Sequence, residues 1–406
     1  MTGIGEIPGE WAVVRIGDIC KVVTGGTPST MHPEYFGGTI KWLKSGDIKE
    51  LYIYDTEEKI TQSGIENSNA KIHPPGTVAI ALSGRGQTRG KTAIIKRPMA
   101  CSQSVAIMIP NSELVPEYLH YNLSNRYLEI RNLTGHYDRS GLNLAIVSNI
   151  NIPLPPLPEQ RRIAEVLGTV DSAIQKVGGA IESTERLKKG MMQRLLTRGI
   201  GHERFKESDV GRVPEEWGVS RLGDVCNHRS EITMPSGKGE NKFVGLEHIN
   251  PGELKIHTYQ LDTDVKSSKF RFRRGDILYG KLRPYLDKAV IADFDGICST
   301  DLLVLTNAEN RALAEFLIYL IHSNQFIQNS ISATSGTNHP RTSWKEISKF
   351  KFGLPPLSEQ RRIAEILSAA DRKLELERRR KEKLERVKKG LMNELLTGRK
   401  RVKIRN

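Results

Sequence analysis

Residues 154–165 read LPPLPEQRRIAE, and residues 354–365 read LPPLSEQRRIAE, with one position changed. The distance between the two stretches is about half of the 406-residue chain. The similarity continues downstream, where ERLKKGMMQRLLT at 185–197 matches ERVKKGLMNELLT at 385–397. It also holds upstream, where GEIPGEWAVVRIGDIC at 5–20 returns at 211–226 as GRVPEEWGVSRLGDVC. These repeats predict a chain built from two related halves.

The composition is that of a globular protein, with 38% hydrophobic and 27% charged residues. Its length leaves room for two to four domains. No apolar run approaches the ~18 residues that a membrane-spanning helix needs. The N-terminal sequence has neither the basic nor the apolar segment of a secretory signal. We therefore expect a cytoplasmic protein with no membrane segment.

The net charge of +14 comes from 61 Lys and Arg against 47 Asp and Glu. An excess of this sign favours a polyanionic partner such as nucleic acid. However, residues 371–406 alone contain 15 basic and 6 acidic residues. Most of the excess therefore lies in the C-terminal helix and tail, and a solvated basic surface is the alternative interpretation.

The four cysteines are Cys20, Cys101, Cys226 and Cys298, and no two of them form a CxxC pair. Cys20 and Cys226 lie at matching places in the two halves, and so do Cys101 and Cys298. Matched positions of a duplicated protein lie far apart, which argues against a shared zinc site or a disulfide framework. We predict buried free thiols.

Each half contains a mixture of strands and helices. The apolar segments 77–82 and 104–109 predict buried strands, and 276–279 and 302–305 are their counterparts. A helical segment follows each second strand, at 116–132 and at 310–331. Each half is therefore predicted to contain an α+β domain, at residues 1–153 and 201–353.

A long helix is predicted to follow each domain, within residues 154–200 and 354–406. Prolines at 153, 155 and 156 prevent an earlier start, and Pro158 suits a first helical turn. Apolar residues then recur at spacings of three and four as far as 195, and glycines at 199 and 201 predict the end of the first helix. The pair Gly178 and Gly179 is expected to weaken or bend this helix midway.

These apolar stripes are too long and narrow for the core of a small domain, so we expect the two helices to pack on each other. The predicted fold is α+β, with two tandem α/β domains separated by two long helices. The helices would form an antiparallel coiled coil with pseudo-two-fold symmetry and a domain at each end. At 1.5 Å per residue, 40 helical residues extend over about 60 Å.

Catalytic motifs are poorly represented. The segment SGRGQTRGKT at 83–92 resembles a phosphate loop, but its first glycine is one position too early and the following AIIKRP favours a strand. No GxGxxG or HExxH sequence is present. The tripeptide Glu57-Glu58-Lys59 has the Glu-x-Lys spacing of many nucleases, with Asp47 or Asp55 as a possible partner carboxylate. A magnesium-dependent nuclease using Asp47, Glu57 and Lys59 is therefore one alternative, and a coiled-coil scaffold that binds only proteins is another.

Polar segments suited to DNA contact occur in both halves. Arg and Lys can bind guanine edges and phosphates, and Asn and Gln can pair with adenine. In the first half the candidates are Arg85, Gln87, Arg89, Lys91, His136, Tyr137, Arg139 and Asn143. In the second half they are Arg271, Arg273, Arg274, Lys281, Arg283, Tyr285, Asn338, His339 and Arg341. Because these segments differ in sequence while the motifs around them repeat, they indicate two readers of different targets, although any single residue could belong to an ordinary exposed loop.

The repeated motifs resemble those of the specificity subunits of type I restriction-modification enzymes. The resemblance covers nearly the whole chain, in the order recognition domain, helical region, recognition domain, helical region. Its most specific elements are IPGEW at 7–11 and VPEEW at 213–217, both LPPL(P/S)EQRRIAE helix starts and both KKG(M/L)M…LLT helix ends. The recognition loops of this family vary, so the resemblance does not identify the bases that are read.

The resemblance implies a non-catalytic subunit that binds a bipartite double-stranded DNA sequence, with one half-site for each recognition domain. The paired helices would set the distance between half-sites and dock two modification subunits. Those subunits would carry S-adenosylmethionine and methylate adenine at N6, while restriction subunits would supply ATP-dependent translocation and cleavage. No cofactor is expected on this chain itself, since S-adenosylmethionine, ATP and magnesium would reside on its partners.

Overall fold

The computed structural model describes residues 6–84, 86–134, 141–308, 311–334, 336 and 339–403. The chain forms two compact units. Unit 1 comprises Met1–Gly178 with Arg379–Asn406, and unit 2 comprises Gly179–Arg378. Each unit therefore contains one globular part and a segment of each of the two long helices.

Unit 1 contains short strands and helices followed by the first long helix. Its strands are β1 (Ala12–Arg15), β2 (Cys20–Thr24), β3 (Phe36–Leu43), β4 (Tyr52–Ile53), β5 (Lys59–Ile60), β6 (Ile72–His73), β7 (Val78–Ala81), β8 (Thr92–Ile95), β9 (Met99–Cys101), β10 (Val105–Pro110) and β11 (Asn151–Leu154). Its helices are α1 (Ile16–Ile19), α2 (Gln62–Glu66), α3 (Pro116–Asn125), α4 (Tyr127–Arg131), α5 (Leu144–Ser148) and α6 (Leu157–Arg198), which continues into unit 2. Short 3-10 turns span Pro33–Tyr35, Ser45–Asp47 and Asn132–Thr134.

Unit 2 contains the remaining elements. Its strands are β12 (Phe205–Lys206), β13 (Val213–Pro214), β14 (Gly218–Arg221), β15 (Cys226–Arg229), β16 (Ile232–Thr233), β17 (Lys242–Val244), β18 (Gln260–Leu261), β19 (Lys269–Phe272), β20 (Ile277–Gly280), β21 (Ala289–Ile291), β22 (Gly296–Cys298), β23 (Leu302–Asn307) and β24 (Lys351–Leu354). Its helices are α7 (Ala314–Ile321), α8 (Asn324–Ser332), α9 (Trp344–Ile347) and α10 (Leu357–Leu395), which continues into unit 1. Its 3-10 turns span Leu222–Asp224, Leu246–His248, Asp262–Asp264 and Pro284–Leu286.

The sheets of the two units correspond. The central sheet has the order β2-β10-β7-β8-β4 in unit 1 and β15-β23-β20-β21 in unit 2. A second sheet has the order β5-β3-β9-β6 in unit 1 and β16-β19-β22-β17-β18 in unit 2. A two-stranded ladder, β1-β11 in unit 1 and β14-β24 in unit 2, joins a strand near the start of each globular part to the strand just before the long helix. In unit 2, β12 and β13 form a further two-stranded pair. The predicted mixture of strands and helices in each half is confirmed.

Strand β7 shows why the central strands are apolar along their whole length. All four of its residues are buried. Val78 and Ile80 pack in the core beneath α3 and the long helices, whereas Ala79 and Ala81 pack in a second core with residues of β3 and β9. Because successive side chains point to opposite faces and both faces are covered, no polar residue alternates with the apolar ones.

The two long helices contact each other within each unit. In unit 1, Ile163 near the start of α6 shares a core with Leu395 at the end of α10. In unit 2, Ile363 near the start of α10 shares a core with Leu196 near the end of α6. The start of each helix thus packs beside the end of the other, which is an antiparallel contact. Helix α6 runs unbroken through Gly178 and Gly179, and it ends one residue before Gly199, as predicted.

A buried glutamate anchors the start of α6 in unit 1. The Glu159 side chain is 1% exposed and accepts a hydrogen bond from Trp11 Nε1 at 3.1 Å. Arg401, in the C-terminal tail, donates from Nε and Nη2 at 2.6 and 2.8 Å. These hydrogen bonds to Glu159, followed by those to Glu10, raise the pKa of the Arg401 guanidinium. The carboxylate therefore connects the IPGEW motif, the helix start and the tail that follows the other helix.

Unit 2 has an equivalent set of contacts around Glu359. We call each of these contact sets, centred on Glu159 or Glu359, the joint of its unit. Trp217 Nε1 donates to it at 2.9 Å, as Trp11 does to Glu159. The remaining hydrogen bonds come from the backbone N–H of Ile200 at 2.8 Å and from the His202 ring, whose Nε2 lies 2.9 Å from Oε1. These two residues follow α6, just as Arg401 follows α10. The repeated tryptophan and glutamate are therefore direct partners in both units.

A second carboxylate, about three turns further along each long helix, binds a lysine from the end of the other helix. In unit 1, Asp171 Oδ1 lies 2.6 Å from Lys388 Nζ, and Asp171 Oδ2 accepts a hydrogen bond from Tyr121 Oη at 2.8 Å. Burial is the largest cause of the raised pKa of Tyr121, followed by the nearby Asp171 charge. The phenol thus remains the donor.

Unit 2 repeats this arrangement with the roles of the helices exchanged. Asp371 on α10 lies 2.5 Å from Lys188 Nζ on α6 and accepts from Tyr319 Oη at 2.7 Å. Lys188 and Lys388 are the first lysines of the two KKG motifs. These motifs are explained by pairing between the helices.

The pairing of Lys388 with Asp171 predicts a specific effect on stability. Replacing Lys388 by Met leaves a partly buried carboxylate with only its tyrosine donor, so Lys388→Met is expected to lower the free energy of unfolding by about 1–2 kcal/mol. Chemical denaturation of the full chain followed by circular dichroism measures this loss. The neighbouring exposed residue supplies the control, Lys389→Met, which should change stability by less than about 0.5 kcal/mol. Equal effects of the two variants would contradict the role given to this ion pair.

The joint at Glu159 predicts a role for the C-terminal tail. Arg401→Met removes two charge-assisted hydrogen bonds from a buried carboxylate and should lower the free energy of unfolding of unit 1 by about 1.5–3 kcal/mol. Differential scanning calorimetry of the full chain tests this expectation. Arg399→Met removes the same charge from an exposed position of the same tail. This variant should leave the unfolding temperature unchanged. A similar shift for both variants would mean that only net charge matters.

Candidate nucleic-acid interface

The candidate loop of unit 1 connects β7 to β8 through residues 82–91. The backbone of Leu82 ties it to neighbouring segments: its N–H donates to Ser104 O at 2.9 Å and its carbonyl accepts from Leu142 N–H at 2.8 Å. Gln87 is exposed at the surface of the loop, and its carbonyl accepts from Tyr127 Oη at 2.8 Å. The structure therefore places this loop beside the segment that begins at residue 141.

The other described candidates of unit 1 are less accessible. Arg89 is buried, with 6% of its surface exposed, and Lys91 is half-buried. Asn143 is exposed, but its Oδ1 caps α5 by accepting from Ile146 N–H at 2.8 Å. Gln87 is therefore the side chain of this group best exposed for contact with DNA. Four further candidates lie outside the described residues: Arg85, His136, Tyr137 and Arg139.

Unit 2 has the same arrangement in the loop that connects β20 to β21. The N–H of Lys281 donates to Asp301 O at 3.0 Å, and its carbonyl accepts from Thr342 N–H at 3.0 Å. Arg283 N–H donates to Pro340 O at 2.8 Å. These bonds match those made by Leu82, so the two loops occupy equivalent positions on their sheets.

This framework gathers five candidate residues of unit 2 at one end of its central sheet. They are Lys281, Arg283, Tyr285, His339 and Arg341. The Tyr285 side chain is 52% exposed, and Arg341 is 54% exposed with Nη2 3.3 Å from Asp301 Oδ1. A cationic side chain and an aromatic ring therefore lie together at an accessible surface. Asn338 lies outside the described residues.

The remaining basic candidates of unit 2 lie elsewhere. Arg271 and Arg273 each approach Glu231 at 3.7 Å. Arg273 and Arg274 precede β20 whereas Lys281 follows it, and a four-residue strand extends over about 13 Å. The sequence correctly predicted that basic residues flank this strand. The structure shows that they occupy its opposite ends and form two separate groups.

Sequence reasoning missed Asp301. Its carboxylate binds the Arg341 guanidinium, and its carbonyl accepts a hydrogen bond from the N–H of Lys281, the first residue of the unit 2 loop. The available signal was the match between CSQSV at 101–105 and CSTDL at 298–302. That match places Asp301 opposite Ser104, the residue whose carbonyl binds the equivalent loop of unit 1. Of these two equivalent positions, only the one in unit 2 carries a carboxylate. This difference indicates that Asp301 serves the unit 2 loop specifically.

Two residues of the nuclease alternative, Asp47 and Lys59, have structural partners. Asp47 Oδ2 accepts the backbone N–H of Lys44 at 2.8 Å, and Lys59 Nζ lies 3.6 Å from Asp55. The segment 83–92 is a connection between two strands and does not open a helix. Over the ranges that the structure describes, no group of three or more His, Cys, Asp or Glu is arranged to hold a metal ion, and no helix is long and apolar enough to cross a membrane. The four cysteines are buried and free.

The fold and the candidate surfaces define a class of protein. It has two related α+β domains and two long helices, and each domain carries a polar loop whose sequence differs from that of the other domain. The profile of the type I restriction modification DNA specificity domain matches this chain twice, at residues 8–183 and 214–386. The chain therefore belongs to the family of type I restriction-modification specificity subunits.

Named relatives agree with this assignment. The MjaVIII specificity subunit of Methanocaldococcus jannaschii is 30% identical, and the alignment covers 98% of this chain and 95% of the relative. The EcoDI specificity subunit of Escherichia coli is 24% identical over 90% of this chain and 83% of its own length. Relatives with these names are DNA-recognition subunits, so the chain is a non-catalytic subunit of a type I restriction-modification system.

Solved structures share the fold. The S subunit of a type I restriction-modification system from M. genitalium superposes with a TM-score of 0.60 at 14% identity, covering 96% of both chains. A second structure comes from work on complex assembly and conformational transition of the type I R-M system. It superposes with a TM-score of 0.59 at 19% identity, and the match covers 97% of this chain and 99% of the other. These similarities concern the fold.

Proposed function

We propose that this subunit reads a bipartite double-stranded DNA sequence, with residues 1–153 binding one half-site and residues 201–353 binding the other. The observation that carries the proposal is the equivalence of the two loops. Leu82 and Lys281 make the same pair of backbone hydrogen bonds, although the loops that follow them share little sequence. A constant framework with different side chains is what two readers of different sequences require.

The side chains on these loops suit recognition in the major groove. An exposed amide such as Gln87 can bind adenine through two hydrogen bonds, and Arg341 can bind guanine or a phosphate. The exposed Tyr285 ring offers an apolar surface to a base edge or methyl group. Arg271, Arg273 and Arg274, at the other end of β20, would contact the DNA backbone and fix its position, as phosphate contacts do.

The two helical regions, residues 154–200 and 354–406, complete the proposal. Contacts between helix starts and helix ends within each unit support an antiparallel coiled coil with pseudo-two-fold symmetry. In this arrangement the length of the helix pair sets the distance between the half-sites. Both Lys–Asp–Tyr groups support it, because each unit uses the start of one helix and the end of the other.

The partners follow from the family. We expect two modification subunits, which bind S-adenosylmethionine and methylate adenine, and restriction subunits, which use ATP and magnesium. The proposed location is the cytoplasm, where DNA is accessible and the four buried thiols stay reduced. An autonomous nuclease has no support from the relatives, which are specificity subunits.

Loop variants should affect the half-sites independently. In the complex of the full chain with its modification subunits, Tyr285→Ala combined with Arg341→Ala should reduce discrimination at one half-site by about tenfold or more, since each base contact contributes about 1–3 kcal/mol. Gln87→Ala should act on the other half-site alone. Sequencing of methylated adenines in genomic DNA measures both effects. Equal losses at both half-sites would show that these side chains contact only phosphates or support the fold.

The spacing of the half-sites should follow helix length. In unit 1, counting from the Asp171–Lys388 pair places Gly178 opposite Lys381. Inserting four helical residues after each of these two positions lengthens the two paired helices by about 6 Å. This corresponds to nearly two base pairs of DNA. The methylated sequence is then expected to have a longer non-specific spacer with unchanged half-sites.

The matched control for this experiment is the same insertion in α6 alone, which puts the helices out of register and should abolish methylation. If the doubly extended variant methylates sites with the original spacer, the helices do not set the distance.

A further inference from the structure

The recognition loop of unit 2 has an unusual backbone. Arg283 has φ 52° and Asp287 has φ 51°, and among the described residues they are the non-glycine residues with positive φ. They flank the 3-10 turn Pro284–Leu286, whose tip exposes Tyr285. Side chains disfavour this left-handed conformation, so it persists only where surrounding contacts hold it.

His322 supplies such a contact from beneath the loop. It follows α7, and its side chain is 5% exposed. Ring Nδ1 lies 2.7 Å from Asp287 Oδ1, and Nε2 lies 3.0 Å from Ala289 O. A carbonyl oxygen can only accept, so Nε2 donates to Ala289, and Nδ1 lies within hydrogen-bond distance of the Asp287 carboxylate. The backbone of Asp287 is held from another side, because its carbonyl accepts from Gly252 N–H at 2.8 Å.

Unit 1 has a different residue at the position of His322. Tyr121 and Tyr319 correspond, since each donates to the aspartate of its own helix start. Three residues further on, His322 therefore corresponds to Ser124. The Ser124 hydroxyl contacts Thr92 Oγ1 at 3.2 Å, at the first residue of β8. The described part of the unit 1 loop is held instead by Tyr127, whose Oη donates to the Gln87 carbonyl at 2.8 Å.

We propose that His322 is a positioning residue for DNA recognition by the second domain: through Asp287 it fixes the strained loop that presents Tyr285 to its half-site. This inference rests on the proposed function. His322 is too deeply buried to touch DNA itself. Its effect passes through the Asp287 carboxylate, and the contact with Ala289 secures the ring to β21.

Two amide variants separate these contacts. In His322→Asn the side-chain N–H₂ lies near the position of Nδ1 and can still donate to Asp287. In His322→Gln it lies near the position of Nε2 and can donate to Ala289 O but not to Asp287. Both variants remove the imidazole and keep a polar side chain, so they form a matched pair.

The readout is adenine methylation of unmodified genomic DNA by the complex of the full chain with its modification subunits. We expect His322→Gln to lose about tenfold in discrimination at the second half-site while the first half-site is read normally. His322→Asn should retain at least a third of the wild-type discrimination at the second half-site, and Asp287→Ala, which removes the acceptor, should behave like His322→Gln.

Other outcomes overturn the proposal. Equal losses by His322→Asn and His322→Gln would mean that the ring only fills space. Loss at both half-sites would indicate a general folding defect, which calorimetry of the variants would show as a lowered unfolding temperature. Unchanged discrimination in all three variants would show that the loop needs no anchor. Failure of the proposed function itself is distinguishable, because the wild-type complex would then methylate no bipartite sequence.

Discussion

A carboxylate buried beneath a tryptophan at the first turn of each long helix is the interaction on which the rest of the structure depends. Burying a charge is costly unless every lone pair finds a donor. Glu159 meets that demand with Trp11 and Arg401, and Glu359 meets it with Trp217 and the segment after α6. In each unit three distant parts of the chain must therefore be in place together: the start of the globular part, the start of one helix, and the segment that follows the end of the other. A helix that starts without these partners would leave a charge unpaired in the core.

This constraint separates the parts of the chain that are free to change from those that are not. The residues of the joint are repeated because each one has a partner of fixed chemistry. The loops are held differently, through the backbone groups of residues such as Leu82 and Lys281, which any side chain provides. The loop sequence can therefore vary without disturbing the sheet that carries it, and the two domains can read different DNA on one framework.

Much of the fold was predictable because it depends on local patterns. Apolar runs identified β7, β10, β20 and β23, and the three-and-four spacing identified both long helices. What could not be predicted depends on contacts between distant residues. Arg89 lies in a glycine-rich segment that reads as exposed, yet the structure buries it. The partnership of Trp11 with Glu159 joins residues 148 positions apart, a distance over which no periodicity carries information.

The two candidate loops, which connect β7 to β8 and β20 to β21, show how equivalent backbones come to expose different side chains. The unit 1 loop reaches positive φ with glycines, at Gly84 (φ 138°) and Gly90 (φ 86°), which offer no side chain to DNA. The unit 2 loop reaches it with Arg283 and Asp287, so the same kind of turn carries a guanidinium and a carboxylate. Strain of this kind must be balanced by further contacts. In unit 2 the buried His322 imidazole contacts Asp287, whereas the equivalent residue of unit 1 is Ser124, which contacts Thr92 at the start of β8. The side chains that each loop exposes therefore depend on residues beneath the loop as well as on the loop itself.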